Sequence, residues 1–378
     1  MRKILLVSNT AWSIYNFRAG LISSLLANGY EVLAVAPQDA YSAKLPRLGC
    51  KHIALEMDNK GTNPIRDAQL LLSFVRLFRR ERPLCAFCYT IKPNVYGSIA
   101  ARLTGVPVIN NVAGLGSVFS RPSWVTPVAK FLYRRAFRTS SHVFFQNADD
   151  LKFFERLGLA RPGVASLLPG SGVDIERFHP INQPAATGQD GLSFLMMGRM
   201  LWEKGVGEYV EAAKVLKSRF PKTKFKLLGF IGVPNPSAVP RSSIEEWTSQ
   251  GLIEYLGETH DVVPYIAGSD CVVLPSYYGE GTPRSLLEAA SMAKPVITTD
   301  MPGCRDAVEH GQTGLLVRPR DVKDLAEKME SLIRLDAQER ARFGSRAREK
   351  MIREFDERIV IAKYLRTIEN VMAARTTS

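Results

Sequence analysis

The chain reads as a two-domain α/β protein, each domain built on a parallel sheet. Short apolar runs alternate with amphipathic stretches of helical length, the pattern of repeated βα units. The alternation pauses at residues 169–180 and 183–191, which are rich in Gly, Pro and small polar residues, and then restarts. At 378 residues the chain is long enough for two cores of ordinary size.

Residues 3–7 follow a basic start, but the apolar run ends at Val7 with no small-residue cleavage region, so it reads as a first strand rather than a signal peptide. Residues 17–27 form a helix with Leu21, Leu25 and Leu26 on one face and a stop at Asn28-Gly29. Strands follow at residues 31–36, 85–89, 106–110 and 143–146. No apolar run approaches the roughly 18 residues of a membrane span.

Five cysteines, at positions 50, 85, 88, 271 and 304, show no disulfide framework and suit a reducing compartment. Cys85 and Cys88 lie inside an expected strand, and no second pair or histidine cluster follows at zinc-like spacing. They read as buried thiols, and no metal site is inferred.

Ligands of parallel sheets gather at the carboxyl ends of strands. The corresponding loops are residues 8–16, 90–94, 110–119 and 147–149, and they carry Asn9, Trp12, Tyr15, Asn16, Arg18, Tyr89, Lys92, Asn94, Asn110 and Asn111. Sharing one rim, they suggest an acceptor-binding site. Gly114-Leu115-Gly116 lacks the third glycine of a dinucleotide fingerprint, and residues 198–204 lack the second glycine of a P-loop.

Residues 122–138 place Trp124, Val125, Val128, Phe131, Leu132 and Phe137 among Lys130, Arg134, Arg135 and Arg138. Such a helix can lie on an anionic membrane or pack its apolar face on the sheet, and the sequence leaves both open. The net charge of +13 suits an anionic surface, while no recognisable nucleic-acid module is present.

In the second half, strands are expected at residues 192–197, 224–228, 271–274 and 314–317, with a helix at 207–218. From about residue 325 to 374 the pattern is helical without strands, and the last helix can cross back onto the first domain.

Residues 277–297 concentrate the chemistry. After the strand at 271–274, Gly279 and Gly281 supply a loop, Thr282 suits an N-cap and Pro283 a first helical residue. The helix start can receive an anion. Glu280 and Glu288 would repel a bare phosphate but can accept hydrogen bonds from hydroxyls, so the corner suits a diphosphate joined to sugars. Arg199 and Lys204 stand in another rim loop of the same domain and add a planar fork and a point charge suited to a diphosphate.

These residues resemble the family-four glycosyltransferases. The resemblance rests on Gly198-Arg199 with Glu203-Lys204-Gly205, on Glu280 and Glu288 with seven residues between them, and on Phe178-His179-Pro180. It extends to Pro302-Gly303-Cys304-Arg305-Asp306 and Gly311-Gln312-Thr313-Gly314. It implies a GT-B fold: two Rossmann-like parallel-sheet domains facing across a cleft, with a C-terminal helix crossing back to the first. Expected spans are 1–175 for acceptor binding, 176–355 for the nucleotide sugar and 356–378 for the returning helix.

By the same resemblance, Arg199, Lys204 and Glu280 form the catalytic set. Gly281, Thr282 and Glu288 join them in holding the donor, with Glu288 on the ribose and Glu280 on the transferred sugar. The implied reaction retains anomeric configuration and needs no metal or other cofactor beyond the nucleotide sugar, UDP ahead of GDP. A nucleotide-sugar epimerase and a non-catalytic sugar-nucleotide binder are the rival readings.

The first half, through residues 9–18, 89–94 and 110–116, looks like bacterial enzymes that extend undecaprenyl-diphosphate-linked sugars for surface polysaccharides or glycoproteins. That implies an acceptor site of Asn9, Trp12, Asn16, Tyr89, Lys92, Asn111, Gly114 and Gly116, and peripheral placement on the inner face of the cytoplasmic membrane. Two departures stand out: no histidine follows the fifth strand where many members carry one, and Asn-Thr-Ala-Trp replaces the usual glycine pair of the first loop.

Overall fold

The computed structural model describes residues 2–58, 63–114, 125–161, 163–181 and 191–376. They fall into two units, Met1–Ser171 with Glu357–Ser378, and Gly172–Asp356.

The first unit holds β1 (Arg2–Val7), β2 (Tyr30–Ala36), β3 (Lys51–Ala54), β4 (Cys85–Tyr89), β5 (Val108–Val112), β6 (His142–Phe145) and β7 (Ala165–Leu167). All pair in parallel, in the order β3-β2-β1-β4-β5-β6-β7. Alternate residues of β1 enter opposite cores: Ile4 and Leu6 on one face, Leu5 and Val7 on the other. Burial on both faces makes a central strand read as a continuous apolar run. The edge strands β3 and β7 lack that signal because their residues are only half-buried or exposed.

Three expectations shift here. The ladder of β5 starts at Val108, two residues late, since Pro107 has no N–H to contribute and offers only its carbonyl, to Ala86 N–H. Asn110 and Asn111 therefore lie within the strand. The helix expected over 17–27 is two helices, Ala11–Phe17 and Ala19–Ala27, broken at Arg18. Thr10 caps the first of them, accepting from Ser13 N–H at 3.2 Å.

The second unit holds β8 (Ser193–Met197), β9 (Lys224–Leu228), β10 (Glu254–Tyr255), β11 (Cys271–Leu274), β12 (Val296–Thr299) and β13 (Gly314–Val317), parallel in the order β10-β9-β8-β11-β12-β13. Residues 172–178, expected as linker, pack into this unit instead: Val173 and Phe178 are fully buried, and Phe178 carbonyl accepts from Ser291 Oγ at 2.6 Å.

The last helix, Glu357–Thr376, belongs to the first unit, with Val360, Tyr364 and Ile368 in its core and the Tyr364 ring 5.1 Å from Phe87. All five cysteines are buried and none forms a disulfide. Strand order reverses between β1 and β4 in one sheet and between β8 and β11 in the other. Each reversal leaves diverging loops at the carboxyl ends, where such sheets bind ligands.

Candidate active site

At the reversal in the second unit, the loops after β8 and β11 meet. Tyr277 N–H donates to Glu203 carbonyl at 3.0 Å, and Ser276 Oγ lies 3.2 Å from the same oxygen. This closeness needs glycine: Gly205 has φ +82°, and a Cβ there would lie 2.2 Å from Pro275 carbonyl oxygen. Gly303, at φ +80°, sits so tightly under the 280–281 backbone that a Cβ would be 1.7 Å from Gly281 carbonyl oxygen.

Held by these contacts, Lys204 Nζ donates to both Glu280 oxygens at 2.5 and 2.7 Å. Ser276 Oγ donates to Glu280 Oε1 at 3.0 Å. The pair is 16% and 14% exposed, enough shielding to strengthen its attraction and enough opening to admit a ligand. Below it, burial pushes the Cys304 thiol up to about 12, so it stays protonated near neutrality.

Arg199 stands exposed in the loop after β8, its side chain without a polar partner among the described residues. Glu288 accepts from Arg284 Nε at 3.0 Å, one turn earlier on the same helix, and not from the Lys204 cluster. Burial raises the Glu288 carboxyl above its ordinary value, and Arg284 opposes that rise.

Thr282 is not the N-cap expected. The helix runs Arg284–Ser291, Pro283 takes the cap position with extended backbone, and no side chain caps it. Buried Thr282 and Gly281 lead into that helix. Three contributors escaped the sequence reading. Ser276 could have been found as the residue just past a strand end, and Arg284 by its four-residue spacing from Glu288. Arg320, whose guanidinium lies 4.3 Å from the Tyr277 ring centroid, had no local signal.

In the first unit the expected rim residues divide. Trp12 and Asn16 ride on the helix Ala11–Phe17 rather than a loop; Trp12 is exposed and packs edge-on against Phe17, and Asn16 is tied back to Trp12 carbonyl. Lys92 is already neutralised by Asp67 at 2.7 Å, an acid it shares with Tyr96. Asn94 and Asn110 belong to a buried network with Ser98 and Ser140 that holds the strand ends together. Asn9 and Gly114 lie at the rim, and Gly116 falls outside the described residues.

Tyr89 and Asn111 are register neighbours at the ends of β4 and β5, both buried. The Arg18 guanidinium lies 4.2 Å from the Tyr89 ring centroid. Tyr364, from the last helix, donates to Asn111 Oδ1 at 2.5 Å.

The family models agree with this geometry. A glycosyl transferases group 1 model matches residues 181–350, and a glycosyl transferase 4-like domain model matches residues 16–170. The N,N'-diacetylbacillosaminyl-diphospho-undecaprenol alpha-1,3-N-acetylgalactosaminyltransferase of Campylobacter jejuni is 30% identical, over 97% of this chain and 98% of its own. The chain belongs to the family-four glycosyltransferases.

This glycosyltransferase is also 27% identical to the UDP-Gal:alpha-D-GlcNAc-diphosphoundecaprenol alpha-1,3-galactosyltransferase of Escherichia coli, over 72% of this chain and 70% of that one. Its fold matches Anabaena HepE, crystallised with UDP and glucose, at a TM-score of 0.80, 20% identity and coverage of 98% and 100%. The two Rossmann-like parallel-sheet units are those of a GT-B glycosyltransferase.

Proposed function

We propose that this glycosyltransferase moves a hexose or N-acetylhexosamine from a nucleoside-diphosphate sugar, UDP ahead of GDP, onto a saccharide carried by undecaprenyl diphosphate. The observation that carries the donor half is the Lys204–Glu280–Ser276 cluster at the strand-order reversal, with Arg199 exposed in the adjoining loop. The acceptor half is supported by the two relatives above, whose names both specify a diphosphoundecaprenol-linked sugar.

In this reading Arg199 and Lys204 hold the diphosphate, Glu288 accepts from the ribose hydroxyls, and Glu280 orients the transferred sugar while steadying Lys204. As the bond from C1 to the phosphate oxygen breaks, negative charge grows on the leaving diphosphate, and the fixed cations stabilise it. The acceptor oxygen bonds to C1 on the same face, and its proton passes to the departing phosphate oxygen. Configuration is retained, and no metal is required.

The helix Val125–Phe137 supports peripheral placement on the inner face of the cytoplasmic membrane. Tyr133, Ala136 and Phe137 pack inward, leaving Val128 and Phe131 exposed beside Arg135. One face packs on the unit's core, and the exposed face with its arginines is what supports the membrane reading.

The test is transfer into membrane extract, screening radiolabelled UDP- and GDP-sugars with and without EDTA and determining the anomeric configuration of the product. Label entering the lipid fraction despite EDTA, with configuration retained, is the expected result. Donors left intact, or only epimerised in the aqueous phase, would overturn it.

A further inference from the structure

The rim of the first unit holds a buried charge, Arg18, that meets no carboxylate among the described residues. Arg18 is 8% exposed, yet among the described residues its guanidinium meets only the Tyr89 ring and the Phe17 carbonyl, 3.3 Å from Nη1. A buried cation without a carboxylate is costly, and an anion bound beside it would offset that cost.

The atoms around it point the same way. The Thr90 hydroxyl and the Asn111 amide nitrogen are buried with no hydrogen-bond partner among the described residues. Each can donate. Asn111 Oδ1 is already occupied by Tyr364, so Nδ2 is the end left to give. Thr90 adopts φ +69°, which is unfavourable for a β-branched residue. Buried donors left idle around a buried cation suit a ligand with negative charge and several acceptor oxygens, and a phosphoryl group has both.

We infer that Arg18, Thr90 and Asn111 form a phosphate-oxygen site at the reversal between β1 and β4. Two substrates of the proposed reaction could bring the phosphate: the acceptor's lipid diphosphate or the donor's nucleotide diphosphate. The inference leans on the transferase reading only for that choice.

The site itself is tested without catalysis, by calorimetric titration of inorganic pyrophosphate into the full chain carrying Arg199→Ala and Lys204→Ala, which disables the donor loops. Pyrophosphate should bind, and adding Arg18→Gln should weaken it at least about tenfold. Arg18→Lys, which keeps the charge but loses the fork, should fall between. Thr90→Gly removes the hydroxyl and relieves the backbone, so affinity should fall while the melting temperature holds or rises.

If Arg18→Gln fails to fold, Thr90→Gly carries the test. No pyrophosphate binding in the starting protein, or an affinity unchanged by Arg18→Gln or Thr90→Gly in folded protein, overturns the site. In the otherwise native chain, a raised acceptor KM with unchanged donor affinity assigns the phosphate to the lipid carrier, and the reverse assigns it to the nucleotide. Intact pyrophosphate binding in the double variant, beside a native chain that transfers no sugar, would sink the transferase reading alone.

Discussion

In the second unit, Lys204 meets Glu280 and Arg284 meets Glu288, each within 3.0 Å, whereas in the first, buried Arg18 meets an aromatic ring and a backbone carbonyl. Both rims lie where strand order reverses, so topology does not separate them. The difference is in how charge is held before a ligand arrives. A paired lysine is neutral in sum and can turn to a phosphate when charge develops there. An unpaired, buried arginine is preset for an anion and bears that cost in the folded protein.

The comparison breaks first at Lys204. Lys204→Ala should lower kcat by about 10²–10³-fold, as loss of one charge-stabilising donor does elsewhere, while Ser276 keeps Glu280 partly satisfied and the melting temperature moves little. Steady-state kinetics beside a thermal melt would show this; an unchanged kcat removes Lys204 from the chemistry.

Charge on the outer surface comes next. Changing Arg134, Arg135 and Arg138 to Glu should weaken binding to anionic vesicles on the order of 100-fold, at about 1 kcal/mol for each cation lost. Sedimentation with neutral vesicles should barely change. Equal sedimentation of the variant with anionic vesicles would mean that these arginines only solvate a packed helix.

Glu288 sharpens the donor side. Glu288→Ala should weaken donor binding roughly tenfold, the loss expected for hydrogen bonds to a charged acceptor. Normal affinity by calorimetry would exclude a ribose contact.

The smallest effect is one of pH. Burial raises the Glu288 carboxyl, so the folded protein binds a proton that the unfolded chain releases at its ordinary value near 4.5. Relative to Glu288→Gln, the native protein should therefore be most stable below that value and lose stability as pH rises through the raised one. Urea unfolding of both proteins across the acid range would check it, and a constant difference would argue against the buried carboxyl.

Much of the corner proposed for the donor was legible in the chain. Glu280, Gly281 and Glu288 lie on one strand–loop–helix segment, and Arg199 and Lys204 on another, so spacing alone put them on the right elements. The rim proposed for the acceptor was harder. Asn9 to Arg18 and Tyr89 to Asn94 were readable as rim segments, but not which side chains are already spent. Lys92 on Asp67, and Asn94 on Asn110, are partnerships between residues 25 and 16 positions apart.

Sequence by itself determined the parallel α/β pattern, the two-domain organisation and the placement of Arg199, Lys204, Glu280 and Glu288. Each depends on local apolar periodicity, turn residues or motif spacing. Only the tertiary structure decided that Lys204 rests on Glu280, that Gly303 underlies Gly281, and that Tyr364 reaches Asn111 from 253 residues away. The physical reason is that a side chain's charge and hydrogen-bonding capacity are inherited from its type, whereas their satisfaction depends on neighbours that only the folded chain assembles.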